Sequence, residues 1–288
     1  MPYAFEHDET LSAALPRLML EQIERAAAHL TSTEETPEKR VHNARKRIKE
    51  TRAILRMIRV PLGKQFAIEN RWYRDAARDL ASARDAQAVI EALEKLDVAA
   101  RVKRRVQKTL EQRKNAIAPA GLQGRIDNTI IQLDAARNRI AAWPELGDDF
   151  ETIGHGLEQI YRDGRTALTL ARGERTPENL HEWRKRVKDH WYHLQLLRPL
   201  WPDVLKASSQ ALATLSEHLG DHHDLHVLEG IVEGEPLLTE AITARLAELE
   251  EAAFTLGARV YAEKPAAWRA RMRAYWDVWR RNARLTHG

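Results

Sequence analysis

The chain has 288 residues, of which 43% are apolar and 31% are charged, and it contains no cysteine. Such a chain can bury the core of one large or two medium domains, and the lack of cysteine excludes disulfides, thiolate metal sites and a cysteine nucleophile. Its formal net charge of +4 is too small to indicate a partner, so the distribution of charge along the chain matters more than the average.

The N-terminal residues 1–9 are acidic and lack a basic segment followed by an apolar one, so no signal peptide is predicted. No apolar run approaches the roughly 18 residues of a membrane-spanning helix. The absence of cysteine fits a reducing compartment. We therefore expect a cytoplasmic protein without a membrane span.

Helical periodicity continues through almost the whole chain, whereas strand signals are sparse. With only 13 Gly and 11 Pro, the composition predicts an all-α fold. In chain order, the predicted helices cover residues 8–30, 37–60, 64–96, 101–117, 125–142, 148–171, 179–197, 204–231, 237–263 and 268–285. Threonine, proline and glutamate follow one another at 36–38 and again at 176–178, which is typical of a helix N-cap and first turn.

The most distinctive segment is the basic helix that includes residues 41–59. Residues 39–59 contain nine Lys or Arg and one acid, Glu50. At the pitch of an α-helix, six basic or basic-capable side chains share an arc of about 100° over roughly 25 Å, namely His42, Arg45, Lys49, Arg52, Arg56 and Arg59. Like charges at this spacing repel, so a stripe of one sign is better tolerated when an external polyanion neutralises it.

The basic helix has a second copy further along the chain. His42 and His181 are 139 residues apart. At the same offset, without a gap, Arg45, Lys46, Arg47, Lys49, Leu55, Arg59, Leu80 and Asp85 recur as Arg184, Lys185, Arg186, Lys188, Leu194, Arg198, Leu219 and Asp224. This agreement indicates an internal repeat.

The repeat predicts a single compact domain over residues 1–288, built from two similar four-helix-like bundles related by a pseudo-two-fold axis. The halves cover about 8–142 and 148–285, and the segment 143–147, which contains a proline and a glycine, links them. Two basic helices facing each other would line one central groove or pore, although a repeat alone does not fix how its halves dock.

The two motif helices resemble the CHAD family, the conserved histidine α-helical domain. The resemblance rests on residues 41–52, VHNARKRIKETR, and on residues 180–188, LHEWRKRVK. Arg84-Asp85, residues 219–224 (LGDHHD) and residues 161–165 (YRDGR) also resemble the family pattern. The similarity extends over nearly the whole chain.

This resemblance implies a helical domain that binds inorganic polyphosphate in a basic central pore, without catalysis and without a cofactor. It also leads us to expect targeting to polyphosphate granules. The implied binding residues are His42, Arg45, Lys46, Lys49, Arg52, His181, Arg184, Lys185 and Lys188, and the charge stripe adds Arg56. Trp191 and Gln195 stand at the counterparts of Arg52 and Arg56, so we expect the first half to dominate the electrostatics.

Other side chains have a functional and a structural interpretation. Additional anion contacts are predicted at Arg71, Arg74, Arg78, Arg162, Arg165 and Arg198, against the alternative of a solvated face. Trp183, Trp191 and Trp201 could stack on nucleobases, although packing between helices is the preferred interpretation. His42 and His181 are interpreted as hydrogen-bond donors that gain charge beside an anion, rather than as phosphoacceptors or metal ligands.

Seven of the twelve histidines lie between His181 and His226. His222 and His226 have the spacing of two metal ligands on one helical face, but no third ligand is identified, so a structural role is preferred. Asp85 and Asp224 are interpreted as partners of basic side chains rather than as acid–base catalysts. Two alternatives to polyphosphate binding stay open: an RNA- or DNA-binding protein that uses the same stripe, and a metal-dependent phosphohydrolase that uses residues 221–226.

Overall fold

In the computed structural model, residues 3–80, 85–116, 121–232 and 235–286 are described. Within these ranges every regular element is a helix, which confirms the all-α prediction. The helices are α1 (Leu11–Thr31), α2 (Pro37–Met57), α3 (Arg59–Leu62), α4 (Lys64–Asp79), α5 (Asp85–Lys95), α6 (Ala100–Ala116), α7 (Leu122–Ala141), α8 (Glu151–Gly173), α9 (Pro177–Leu197), α10 (Pro202–Glu229), α11 (Pro236–Val260) and α12 (Pro265–Thr286). A single 3-10 turn, Arg198–Leu200, follows α9.

The two motif helices, α2 and α9, begin where their capping residues predict. Each is 21 residues long and starts with a proline, whose missing N–H costs nothing in the first turn. The Thr36 hydroxyl accepts a hydrogen bond from the Lys39 amide at 3.4 Å, and the Thr176 hydroxyl accepts one from the Asn179 amide at 3.2 Å. These bonds satisfy amides that have no partner within the helix.

The long helix predicted over residues 64–96 differs from the structure. Helix α4 ends at Asp79 and α5 begins at Asp85, whereas α10, the counterpart in the second half, is continuous. A second break separates α3 from α4 at Gly63, whose φ of +51° lies in the left-handed region that favours glycine. The first half therefore uses several short helices where the second half uses one.

The main hydrophobic core contains residues from both halves of the chain. It joins α1, α2, α4 and α7 to α8, α9, α10 and α12, and its fully buried members include Leu55, Tyr161 and Trp183. Helix α2 packs against both α8 and α9. This helix therefore lies at the boundary between the halves rather than at the edge of its own bundle.

A second, smaller core is formed by α5 and α6 from the first half with α10 and α11 from the second. Val89 and Leu93 of α5 belong to the same buried cluster as Leu228 and Ile242. Helix α5 packs on α10, because the apolar face of α5 meets that of α10 there. This arrangement differs from the two separate four-helix bundles predicted from the repeat, since a hairpin of one half is packed on the other.

None of the helices in the described part of the chain combines the length and the apolar content needed to cross a membrane.

Candidate functional site

The basic face of α2 is partly buried rather than fully exposed to solvent. This holds for six of its side chains, His42, Arg45, Lys46, Lys49, Arg52 and Arg56. The opposite face contributes Ala44, Ile48 and Ile54 to the main core. Burial of one face thus fixes the rotation of the helix and holds the cations along one side.

The corresponding face of α9 lies against α10. The ring of His181 contacts that of His223, with centroids 4.3 Å apart and an interplanar angle of 37°. The Arg184 guanidinium lies over Gly220, where an added Cβ would approach its Nη2 to 3.1 Å. Lys188 is half-buried, and the more exposed Lys185 donates to Glu182 at 3.1 Å. The four predicted binding residues of this half therefore follow one side of α9.

The two motif helices contact each other near their C-terminal ends. Arg56 Nη1 of α2 donates to Asp189 Oδ1 of α9 at 2.8 Å, and both side chains are almost buried, with 13% and 12% of their surface exposed. Nearby, the buried ring of His193 hydrogen-bonds through Nε2 to the carbonyl oxygen of Ala53 at 2.8 Å. Arg56, predicted as a ligand contact, is therefore engaged in a bridge between the halves.

Positive charge accumulates beside this crossing, around Arg52. Its Nε donates to the neutral amide oxygen of Asn70 at 3.1 Å. Burial is the main cause that lowers the pKa of Arg52 to about 10, and the nearby guanidinium groups of Arg56, Arg74 and Arg186 add to it, whereas Asp189 opposes it. Within the described residues, no carboxylate lies at ion-pair distance from Arg52. An external anion would remove this unfavourable charge.

Two buried acids that sequence reasoning missed organise the crossing. Glu50 and Asp189 are 139 residues apart, like the repeated motif itself. Arg47 Nη1 lies 2.7 Å from Glu50 Oε2, and Arg186 Nη1 lies 3.6 Å from Asp189 Oδ2, so each acid is paired with the arginine three residues before it. The repeat offset was the available signal, although the residue types differ.

The additional arginines on α4 surround a second feature. Arg71 lines a groove between α4 and α7 together with Trp72 and Gln132. The side chains of Arg74 and Arg78 lie 3.0 and 3.3 Å from the carboxylate of Asp75. Only Arg74 also influences Arg52 electrostatically, so it is the member of this set that belongs near the crossing of α2 and α9.

The remaining predicted anion contacts are engaged elsewhere or separate from the crossing. Arg162 pairs with Glu158 in the next turn of α8. Arg165 donates to the carbonyl oxygen of Glu263. Arg198 is exposed at the 3-10 turn after α9. Nothing in their contacts joins these arginines to the basic faces of α2 and α9.

The acids and histidines around α10 point in different directions. His222 Nε2 lies 3.1 Å from Glu250 Oε1 on α11, His226 Nδ1 lies 3.3 Å from Glu229 Oε2, and Asp221 Oδ1 accepts from Lys95 Nζ at 2.7 Å. In the ranges that the structure covers, no three His, Cys, Asp or Glu side chains are arranged to hold a metal ion. Arg84 and the side chain of Asp85 lie outside the described residues.

The tryptophans named as stacking candidates are mostly enclosed. Trp183 is fully buried and stacks on Phe254, with centroids 5.5 Å apart. Trp191 is half-buried against the main core. Trp201 is 47% exposed and contacts Tyr275 at the end of α9. The structure thus places Trp183 beyond the reach of a nucleobase.

Comparison with known proteins adds the family. The profile of the CHAD domain matches residues 17–233. The crystal structure of the CHAD domain from the plant Ricinus communis superposes with a TM-score of 0.57 and 21% identity, covering 90% of this chain and 94% of that one. At this identity the likeness shows the fold alone. A search of curated proteins finds no match.

Proposed function

The chain belongs to the CHAD domain family, and from this premise we propose that it is a non-catalytic module that binds inorganic polyphosphate along the basic faces of α2 and α9. The observation that carries the proposal is Arg52, a half-buried cation with a lowered pKa and several guanidinium groups around it. Such a module would bring the chain to polyphosphate granules in the cytoplasm.

The chemistry of polyphosphate suits this surface. The ligand carries about one negative charge per phosphate and has no base to read, so it is recognised by charge and hydrogen-bond donors alone. An arginine can hold two phosphate oxygens with its planar fork, whereas a lysine supplies a compact charge. One or two such groups for each 5.4 Å turn of α2 match a linear polyanion lying along the helix.

The buried part of the surface favours an anion over water. Each cation that is withdrawn from solvent loses hydration, and a second cation nearby adds repulsion. The Arg56–Asp189 bridge compensates one guanidinium, but Arg52 has only an amide oxygen as its hydrogen-bond partner. A phosphate beside Arg52 would compensate its charge, so this position should contribute strongly to affinity.

Calorimetric titration with long-chain polyphosphate at about 50 and 200 mM salt tests the proposal, because counterion release makes such binding steeply salt-dependent. We expect tight binding at low salt, weakened at least about tenfold in Arg52→Gln, together with a salt slope lowered by about one. Arg104→Gln is the matched control, since Arg104 is an exposed arginine on α6. Failure of the wild-type protein to bind at low salt would refute the function.

Nucleic acid is the competing ligand for a basic surface. Recognition of single strands normally adds base stacking on aromatic side chains, but Trp183 is buried and Trp191 is half-buried here. We therefore expect polyphosphate to displace a labelled single-stranded RNA at equal phosphate concentration. Retention of the RNA under these conditions would favour the nucleic-acid function instead.

A further inference from the structure

We propose that His181 of α9 and His223 of α10 form a proton-accepting pair within the anion site, and that binding of the polyanion charges this pair, so that affinity rises as the pH falls from 7.5 toward 6. This inference rests on the proposed function and adds two things to it. His223 becomes a member of the site, and binding becomes linked to protons.

The geometry of the pair is the first support. The two imidazole centroids are 4.3 Å apart, so the rings are in direct contact across the α9–α10 interface. Both residues are half-buried, which leaves part of each ring accessible. Nδ1 of His181 is buried and has no hydrogen-bond partner within the part of the chain that the structure describes. A protonated ring would supply a donor at this atom.

The charges around His181 explain why it is neutral in the absence of an anion. Arg184 and Lys185 lie on the same helix, and His223 faces it from α10; burial and these three groups together lower the pKa of His181 to about 4. The opposing group is Glu182, which is already held by Lys185 and Arg186. Close to neutral pH, His181 therefore adds no positive charge to the free protein.

A bound polyanion reverses the local field. Phosphates beside Arg184 and Lys185 place negative charge near the two rings, and a nearby opposite charge favours the charged form of a titratable group. Any protonation that binding promotes must also promote binding, because the two equilibria are linked. For one proton taken up, the affinity rises by up to about tenfold for each pH unit.

Other histidines of the chain differ in a way that singles out this pair. His222 is held by Glu250, and the buried His193 is held by the Ala53 carbonyl. The ring of His190 is buried among Tyr161, Tyr261 and Trp268, where a polyanion has no access. His181, in contrast, lies on the face that carries Arg184 and Lys188.

Proton uptake can be measured directly by titrating long-chain polyphosphate into the wild-type protein near pH 6.5 in two buffers with different ionisation heats, PIPES and imidazole. Long chains minimise the contribution of the weakly acidic terminal phosphates. We expect an uptake that approaches one proton for each site, reduced by more than half in His181→Gln and in His223→Gln. His155→Gln, an exposed histidine of α8, should leave the uptake unchanged.

An NMR titration of histidine ring carbons in the wild-type protein supplies a test that needs no variant. Polyphosphate should raise the apparent pKa of His181 by at least about one unit and leave His190 unchanged. Tight binding without proton uptake, or uptake that survives both substitutions, would overturn the proton linkage while leaving polyphosphate binding intact. Absence of any binding at low salt would instead refute the proposed function.

Discussion

Arg56 of α2 and Asp189 of α9 form an ion pair of 2.8 Å between residues that are 133 positions apart in the chain. Because one partner comes from each half, the pair fixes how the two basic helices cross. Removal of one partner would leave the other charge almost buried and uncompensated, and this is the costly way to break an ion pair.

We therefore expect Asp189→Asn to lower the free energy of unfolding by about 3–5 kcal/mol. The double variant Arg56→Gln/Asp189→Asn should lose less than the sum of the two single variants. Urea unfolding of all four proteins measures this coupling. The surface pair Arg137–Glu24 is the control, since breaking it should cost less than about 1 kcal/mol. Additive losses at Arg56 and Asp189 would show that the pair is not coupled.

Helix α8 crosses the end of α2 at Gly156, where a Cβ would lie 2.1 Å from the Met57 carbonyl oxygen. The backbone atoms there cannot move aside cheaply, so Gly156→Ala should destabilise the protein by about 3 kcal/mol. Gly173→Ala, at the end of the same helix, meets open space and should be neutral or stabilising by up to about 1 kcal/mol. Thermal unfolding of the two variants compares them directly, and equal melting temperatures would contradict the close approach.

Two buried histidines make stability depend on pH. Burial is the main cause that lowers the pKa of His190 to about 3 and of His193 to about 4. Unfolded histidine titrates near 6.5, so below that pH the unfolded chain binds protons that the folded one does not. Stability is therefore complete above pH 6.5 and falls by about 1.4 kcal/mol per pH unit for each imidazole as the pH decreases toward 4.

Urea midpoints between about pH 7.5 and 4.5 give the slope of this loss. His190→Phe keeps an aromatic ring among Tyr161, Tyr261 and Trp268 but removes one titrating group. Its stability should fall less steeply with pH than that of the wild type. A slope that is the same in both proteins would assign the acid sensitivity to other groups.

The two halves should contribute unequally to polyphosphate affinity. Arg45→Gln/Lys49→Gln and Arg184→Gln/Lys188→Gln remove the same charges at corresponding positions of α2 and α9. We expect the larger loss for the α2 pair, by about threefold or more, because Arg52 accompanies it whereas Trp191 stands at the counterpart in α9. Titration calorimetry at low salt measures both losses, with circular dichroism as the check on folding. Equal losses would indicate that the halves contribute symmetrically.

The local features of the chain were predictable because they depend on neighbours in sequence. Thr36 and Thr176 mark the starts of α2 and α9 through their caps, and the 3.6-residue period separates the basic face of α2 from its buried one. The family was predictable for a related reason, since its motif is contiguous and occurs twice. Most predicted helix boundaries lie within three residues of the observed ones.

The contacts between the halves were not predictable from these patterns. Asp189 becomes the partner of Arg56 only when α2 crosses α9, and no periodicity specifies that crossing. The spacing of His222 and His226 drew attention to a metal site, but the contact with the motif helix is made by His223, whose partner His181 lies on another helix. Such features require the docking of helices, which local propensity does not determine.

The position of the α5–α6 hairpin has a consequence for how the chain can be divided. Its apolar residues are covered by α10 and α11, so an isolated first half would expose Val89 and Leu93 to solvent. A backbone cut at the exposed Pro144 and Glu145 should therefore leave two fragments that remain associated and reassemble when they are co-expressed. Although the motif occurs twice, the unit that folds is the pair.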